Sequence, residues 1–499
     1  MARRQSGRVR IELKKGAPGR YNPKGMLTFR NQRRQSILAV VAAGTTALIC
    51  TLAPASEVIQ GQHPHVVLIT VDTLRADHLS SYGYHLRTSP TMDKLAEDGV
   101  RFDRAYTPIP MTGPSHFSMF TGRYPQEHGA RINGVSLPDN SKWLTIPQVL
   151  RRFGYTSGAF VSAWPLVGRL TQLHRSFDHY DEELERQYQV FHSMRWAEDV
   201  TRPALRWLDH NKDKEKLFLW VHYFDPHEPY NLREEFADLE QIRDPTPATA
   251  EYSEEIKNRI LRYDSEIGYA DSHIKRLLDR IDQLGMRDNT LVALLSDHGE
   301  GLGEHGFVGH GRWLFESTVR VPWIMRLPGT IEPGSVVAES VSLLDLAPTL
   351  LDLAVPEFRN ETQVSISYAG RSQVAAIAKQ SPPESRQIRF VSFEGKKGFI
   401  PKWISWTWKP NSGLPFRIGK LEGSMKAVWT PDEKRFELFD LSQDPHELRP
   451  QSLTDADRRY SFERDAFQRW FDTTNLAESE SRLTERDAKI LESLGYIAK

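Results

Sequence analysis

Across 499 residues there is one cysteine, Cys50. A disulfide within the chain is therefore excluded, as is a cysteine-based metal site or nucleophile in the folded part. Net charge is missing too, since 65 Lys and Arg balance 65 Asp and Glu. The balance hides a split: residues 1–35 hold eleven Lys/Arg and one acid, Glu12, leaving that arm at +10 and the rest at −10. The positive charge lies in a Gly- and Pro-containing arm with no core rather than on a folded face, which speaks against nucleic acid as a partner. No internal repeat of about 20 to 50 residues is present, so repeat architectures drop out. Long apolar runs are scarce. The uncharged stretch at residues 37–53, "ILAVVAAGTTALICTLA", has 17 residues, the lower edge of a membrane-spanning helix. Segment 36–56 follows eleven positive charges, so it reads as a membrane anchor or cleaved signal segment rather than a buried helix. Positive-inside logic keeps arm 1–35 cytoplasmic and carries the rest outside. The expectation is a single-pass membrane protein with its folded part periplasmic or extracellular, or secreted if the segment is cleaved.

Beyond it, short β-rich apolar runs alternate with helical patterns, the mark of an α/β fold with a mainly parallel sheet. Strands are expected at "HVVLITV" (65–71), "TSGAFVS" (156–162), "KLFLWVHYF" (216–224), "TLVALLS" (290–296) and "VPWIMRL" (321–327). The strongest helix spans roughly 253–284, with Ile256, Ile260, Tyr263, Ile267, Ile274, Leu277, Ile281 and Leu284 on one face and Gly285 ending it. After about residue 360 the pattern weakens: "KAVWTPDEKRFELFDL" reads as a hairpin, and 479–499 as a closing helix. The expected division is a main domain at 64–360 and a smaller C-terminal α+β subdomain at 361–499.

Three expected strands run into chemistry-bearing residues: the first into Asp72, the third into "HYFDPHEPY", the fourth into "DHGEGLGEHGFVGHG". Ligands of open α/β sheets bind beyond the carboxyl ends of strands, so these clusters should share one edge. Residues 297–311 hold three histidines, two glutamates and an aspartate among six glycines, a poor core but a good lining for an ion or anion. Carboxylates and imidazoles suit hard or borderline divalent ions, and Asp72, Asp297 and His298 would supply such a set. "PMTGPSHFSMFTGRYPQEHG" (110–129) then starts a helix at Thr112, Gly113 and Pro114. Thr112 is either a simple helix cap or, beside a divalent ion, an activated hydroxyl at a helix terminus that favours anions. Ser115 and Ser118 lie further into the helix and are poorer candidates.

These stretches, with "LITVDTLRADHLSSYGY", "TSPTMDKLAEDGVRFDRAY", "RVPWIMRLPG", "LLDLAPTLLDL", "ELFDLSQDPHEL" and "LESLGYI", resemble the sulfatase branch of the alkaline phosphatase superfamily over most of residues 65–498. The resemblance implies a three-layer α/β/α sandwich with a mainly parallel central sheet, plus the smaller C-terminal subdomain. The chain also departs from the family pattern. Formylglycine sulfatases carry C/S-x-P-x-R, whereas here stand Thr112, Gly113, Pro114, Ser115 and His116. The acidic pair after the first strand is reduced to Asp72-Thr73, and the later pair is Asp297-His298 instead of Asp-Asn.

Threonine with an Asp-His pair resembles the phosphoryl-transferring relatives, nucleotide pyrophosphatase/phosphodiesterases and lipoteichoic acid synthase. That comparison implies one divalent metal (Zn, Mn, Ca or Mg) on Asp72, Thr112, Asp297 and His298, with Thr112 as nucleophile. It assigns His227 and His310 to proton transfer, and His116, Asn133 and Arg312 to the substrate. Asp225, His227 and His310 could hold a second ion. The implied function is hydrolysis of phosphate or sulfate esters on a small molecule, glycan or lipid, through a covalent intermediate on Thr112. The alternatives are a membrane-anchored phosphoethanolamine-type transferase and a non-catalytic binding protein of the same fold.

Overall fold

Seven consecutive buried residues form strand β1 (His65–Val71) in the computed structural model of the chain. A strand with no solvent face needs cover on both sides. Val66 and Leu68 enter one hydrophobic cluster while Val67, Ile69 and Val71 enter another, which is the period-two alternation of a pleated strand. The structure describes residues 63–137, 143–184, 194–237, 252–360, 367–379, 386–393, 416–454 and 458–474. Arm 1–35, segment 36–56 and the helix expected at 479–499 lie outside them. Among the described residues no helix is long and apolar enough to cross a membrane.

Together with β1, the main sheet comprises β2 (Val100–Tyr106), β3 (Thr156–Phe160), β4 (His179–Asp181), β5 (Leu217–Tyr223), β6 (Thr290–Ser296), β7 (Arg320–Val321), β8 (Trp323–Arg326) and β9 (Ser335–Ser342). Its order is β9-β2-β8-β6-β1-β5-β3-β4, with β7 paired to β2. β5 and β6 flank β1 in parallel, with Val71 level with Tyr223 on one side and Ser296 on the other. β8 runs antiparallel to both neighbours, so the expected strand at 321–327 reverses the local direction. β2 and β9 were not expected. In β2, Val100 and Phe102 are buried while Arg101 and Asp103 are half-buried, so its apolar residues alternate with charges and form no run.

Helices α1 (Pro90–Glu97), α2 (Thr112–Thr121), α3 (Ala197–Asn211), α4 (Glu254–Gln283), α5 (Leu346–Ala354) and α6 (Arg458–Thr474) supply cover. α1, α3 and α4 pack on the face that holds Val67 and Ile69, and α2 and α5 on the face that holds Val66 and Leu68. The architecture is thus the α/β/α sandwich. The expected long helix matches α4 closely, and Gly285 follows it at φ 70°.

The C-terminal part forms a second, antiparallel sheet: β10 (Ile388–Ser392), β11 (Arg417–Glu422), β12 (Met425–Thr430), β13 (Arg435–Asp440) and β14 (Gln451–Thr454), in that order. The expected hairpin is β12–β13, with Trp429 opposite Phe436. Both rings pack with Phe467 of α6.

Candidate active site

Because β5, β1 and β6 are adjacent and parallel, their carboxyl ends bring Asp72, the 224–227 turn and Asp297-His298 to one edge. Ser296 ties the two central ends together. Its Oγ accepts from the Leu74 N–H at 2.9 Å and lies 2.7 Å from Val71 O and 2.6 Å from His298 O. Thr73, next to Asp72, is held at φ 54°, which is costly for a β-branched residue and typical of functional turns. Tyr263 of α4 braces that turn, donating to Thr73 O at 2.7 Å and accepting from the Arg75 N–H at 2.9 Å. Gly299 is required for close approach, since a Cβ there would lie 2.0 Å from Ser317 O.

Asp72, Thr112, Asp297 and His298 are all fully buried and converge. Thr112 Oγ1 lies 3.5 Å from Asp72 Oδ2 and 3.3 Å from His298 Nε2. His298 Nε2 lies 3.7 Å from Asp72 Oδ1 and 3.6 Å from Asp297 Oδ2. Most of these separations are long for hydrogen bonds. They match donors sharing one ion, because ligands about 2.0–2.2 Å from a tetrahedral centre stand about 3.3–3.6 Å apart. Asp72 Oδ1 and Asp297 Oδ2 are buried without a hydrogen-bond partner. Burial raises the pKa of both carboxyls, and Asp72 adds to the rise at Asp297. The His298 Nδ1–H donates to Gly299 O at 3.0 Å, which turns the Nε2 lone pair toward the carboxylates. Such a donor set fits a divalent ion.

Thr112 is the first residue of α2, not its cap; Met111 occupies the N-cap with extended backbone. The helix-cap reading of Thr112 is therefore corrected: the Thr112 hydroxyl is turned to the carboxylates. The anion-binding helix terminus is largely spent as well. The Gly113 N–H donates to Asn133 Oδ1 at 2.8 Å, Pro114 has no N–H, and the Ser115 N–H donates to Met111 O at 2.9 Å. What remains is Asn133 Nδ2, buried and without a hydrogen-bond partner. Ser115 Oγ donates to Asp297 O at 2.8 Å and so positions a neighbour.

Around this centre the other expected residues divide. His310 and His227 lie close by: the His310 ring centroid is 4.2 Å from that of His298 and 5.0 Å from that of His227. The His227 Nδ1–H donates to Glu228 O at 2.6 Å, and His310 Nδ1 meets Glu300 Oε1 at 3.0 Å. Burial lowers the pKa of both imidazoles. Asp225 is turned away. Its Oδ1 accepts the Ala197 N–H of α3 at 3.0 Å, Arg233 lies 3.9 Å off, and burial with Glu266 nearby pushes its pKa up. The second-ion set of Asp225, His227 and His310 is accordingly not assembled. The groups with ligand spacing among the described residues are Asp72-Asp297-His298 and His116-His222-Asp297.

His116 does not reach a substrate surface. It is fully buried, its Nδ1–H donates to Thr112 O at 2.8 Å, and the Thr70 hydroxyl donates to its Nε2 at 3.2 Å. Burial pushes its pKa down to about 3. Arg312 is exposed, with its guanidinium over the Phe416 ring at 4.8 Å, so it faces the C-terminal sheet rather than the carboxylates.

Two residues of the site escaped sequence reasoning. Glu300 stood inside the quoted 297–311 stretch but was not singled out. His222 is hidden in β5, and the available signal was one polar residue within an otherwise apolar, fully buried run.

The sulfatase family model matches residues 64–356. The chain belongs to the sulfatase family. As a member it is a hydrolase of the sulfuric-ester class. An N-acetylglucosamine-6-O-sulfatase of Bacteroides thetaiotaomicron is 25% identical over 479 residues, covering 78% of this chain and 82% of the relative. A choline-sulfatase of Rhizobium meliloti is 27% identical over 458 residues, covering 77% and 81%. The solved phosphonate monoester hydrolase of Agrobacterium radiobacter shares the fold, with a TM-score of 0.63 at 20% identity over 82% of this sulfatase-family chain and 95% of that one.

Proposed function

We propose that this sulfatase-family hydrolase cleaves sulfate or phosphate esters through Thr112, with a divalent ion at Asp72, Asp297 and His298, outside the cytoplasm. The observation that carries the reading is the placement of Thr112 Oγ1, 3.5 Å from Asp72 Oδ2 and 3.3 Å from His298 Nε2, among buried carboxylate oxygens that lack partners. When bound, a divalent ion would supply the positive charge that favours an ionised threonine hydroxyl and neutralises the ester's oxygens. Thr112 Oγ1 passes its proton to Asp72 Oδ2, 3.5 Å away, as it attacks sulfur or phosphorus, and the bond to the alcohol oxygen breaks. His310, with Nδ1 3.0 Å from a Glu300 carboxyl whose pKa burial raises, passes its Nε2 proton to the departing oxygen and takes the Glu300 proton in exchange, which favours it over His227. Asn133 Nδ2 donates to a non-bridging oxygen of the transferring group. Water then releases the esterified threonine, restoring its hydroxyl and freeing sulfate or phosphate.

The fold neighbour named for phosphonate monoesters supports keeping phosphorus esters in the substrate class, and the named sulfatases support sulfate esters. The extracytoplasmic placement rests on the basic arm followed by the uncharged run at 37–53. Intact-mass analysis after brief incubation with aryl sulfate, aryl phosphate and phosphodiester probes tests the reading. A mass increment that maps to Thr112 is the expected result and identifies the ester type. Turnover surviving in Thr112→Ala at more than about one part in 10⁴ of wild type would sink it.

A further inference from the structure

His222 projects from β5 beneath the carboxylates, on the same face as Trp220 and level with Thr70 of β1. It is fully buried. Its neighbours decide which nitrogen carries the hydrogen. Ser162 Oγ lies 2.5 Å from His222 O, and a carbonyl only accepts, so the serine hydrogen goes there. Ser162 Oγ is also 3.0 Å from His222 Nδ1, so that nitrogen must donate. The Nε2 lone pair is thereby aimed at Asp72 Oδ2, 3.5 Å away, and Nε2 has no hydrogen-bond partner. Two buried acceptors face each other, an arrangement that is unfavourable unless a cation lies between them.

The 3.5 Å spacing falls within the 3.3–3.7 Å range of the other converging donors. An alternative, a separate ion on His116, His222 and Asp297, is disfavoured by the hydrogen bonds of His116. Both of its nitrogens are used, one donating to Thr112 O and the other accepting from Thr70, whose own oxygen accepts the Trp220 indole N–H at 2.9 Å. That leaves His222 Nε2 facing Asp72 Oδ2, the carboxylate shared with His298.

We propose that His222 is a further ligand of the ion at Asp72, Asp297 and His298, held in ligating orientation by Ser162, and that this second imidazole makes the centre select a zinc-type ion over calcium or magnesium. The proposal rests on the metal reading above. Imidazole nitrogen suits zinc and its neighbours, whereas calcium and magnesium take oxygen donors. A ligating histidine normally gives its other N–H to a fixed acceptor, the part Ser162 plays here.

The test is calorimetric titration of the metal-stripped, full-length protein with Zn²⁺ and, separately, Ca²⁺. Wild type should take one Zn²⁺ that Asp297→Ala loses. His222→Ala should bind Zn²⁺ at least about 10-fold more weakly with Ca²⁺ affinity little changed, and Ser162→Ala should fall about 10- to 100-fold. Zinc K-edge absorption on the loaded wild type, which needs no variant to fold, should count two imidazoles. Zn²⁺ affinity in folded His222→Ala within about twofold of wild type, or one imidazole at the edge, overturns the ligand role while leaving the metal site standing. A wild type that holds no ion sensitive to Asp297→Ala overturns both.

Discussion

Asp72 and Asp297 each keep one buried oxygen without a partner, and burial pushes both carboxyls toward protonation. An ion bound to the native state alone stabilises it by mass action, about 2.7 kcal/mol at a hundredfold excess over Kd. Adding metal to the stripped protein should therefore raise Tm, and Asp297→Ala should abolish the rise in a thermal scan. Glu300 offers a separate test at the same scale. If it supports proton delivery through His310, Glu300→Gln should lower kcat by roughly 10²-fold on alkyl esters, whose leaving oxygen needs a proton. It should do much less on aryl esters with good leaving groups. Equal losses on both would assign Glu300 a merely structural part. Asp72, Asp297 and His298 were legible as one cluster, because carboxylates and imidazole directly after apolar runs have few other uses, and Thr112 was legible through its helix start and the family resemblance. His222 was not, since nothing linear connects it to Ser162 or Asp72.

Helix α2 shows how an element is set by a residue distant from it. Met111, its N-cap residue, has no side-chain cap bond, and Asn133 reaches in from a later turn to accept the Gly113 N–H. Gly113 suits this contact, as a Cβ would stand 3.0 Å from the same oxygen. Asn133→Ala should cost about 1 kcal/mol of stability, as for other lost helix caps, read from urea midpoints. It should also slow turnover by about 10²-fold if Nδ2 serves the reacting group. The elements themselves were unevenly legible. β1, β5 and β6 are apolar throughout and α4 carries a clear helical stripe, so composition and period were enough. β2 and β9 alternate apolar with charged or small polar residues and so present no apolar run. The direction of β8 lies in its partners, which a linear pattern does not contain.

At the scale of the whole molecule, the C-terminal sheet is joined to the main domain by an ionic contact as well as by packing. Lys426 of β12 is fully buried, with Nζ 3.0 Å from Glu316 Oε1 and 2.7 Å from Glu447 Oε1. Burial works against its charge, but the two carboxylates outweigh it and keep its pKa above the usual value. Lys426→Met leaves buried Glu447 and half-buried Glu316 without their cation, so it should destabilise by about 3–5 kcal/mol at pH 7, measured by urea unfolding. A loss under about 1 kcal/mol would show that packing of Trp429 and Phe436 on α6 holds this region unaided.

By itself the sequence determined the α/β class, the sulfatase family resemblance and the one sheet edge where the chemistry gathers. Those depend on apolar runs, turn residues and motif order, all of which are local. The tertiary structure decided how the polar residues of that edge are used. It turned Thr112 from cap to cluster member, spent the nitrogens of His116, swung Asp225 onto the start of α3 and pointed His222 at Asp72. Each of these outcomes depends on which hydrogen-bond partner a buried group finds. Apart from Thr112 O, which His116 meets within α2, those partners sit on other segments, at separations along the chain that no local pattern records.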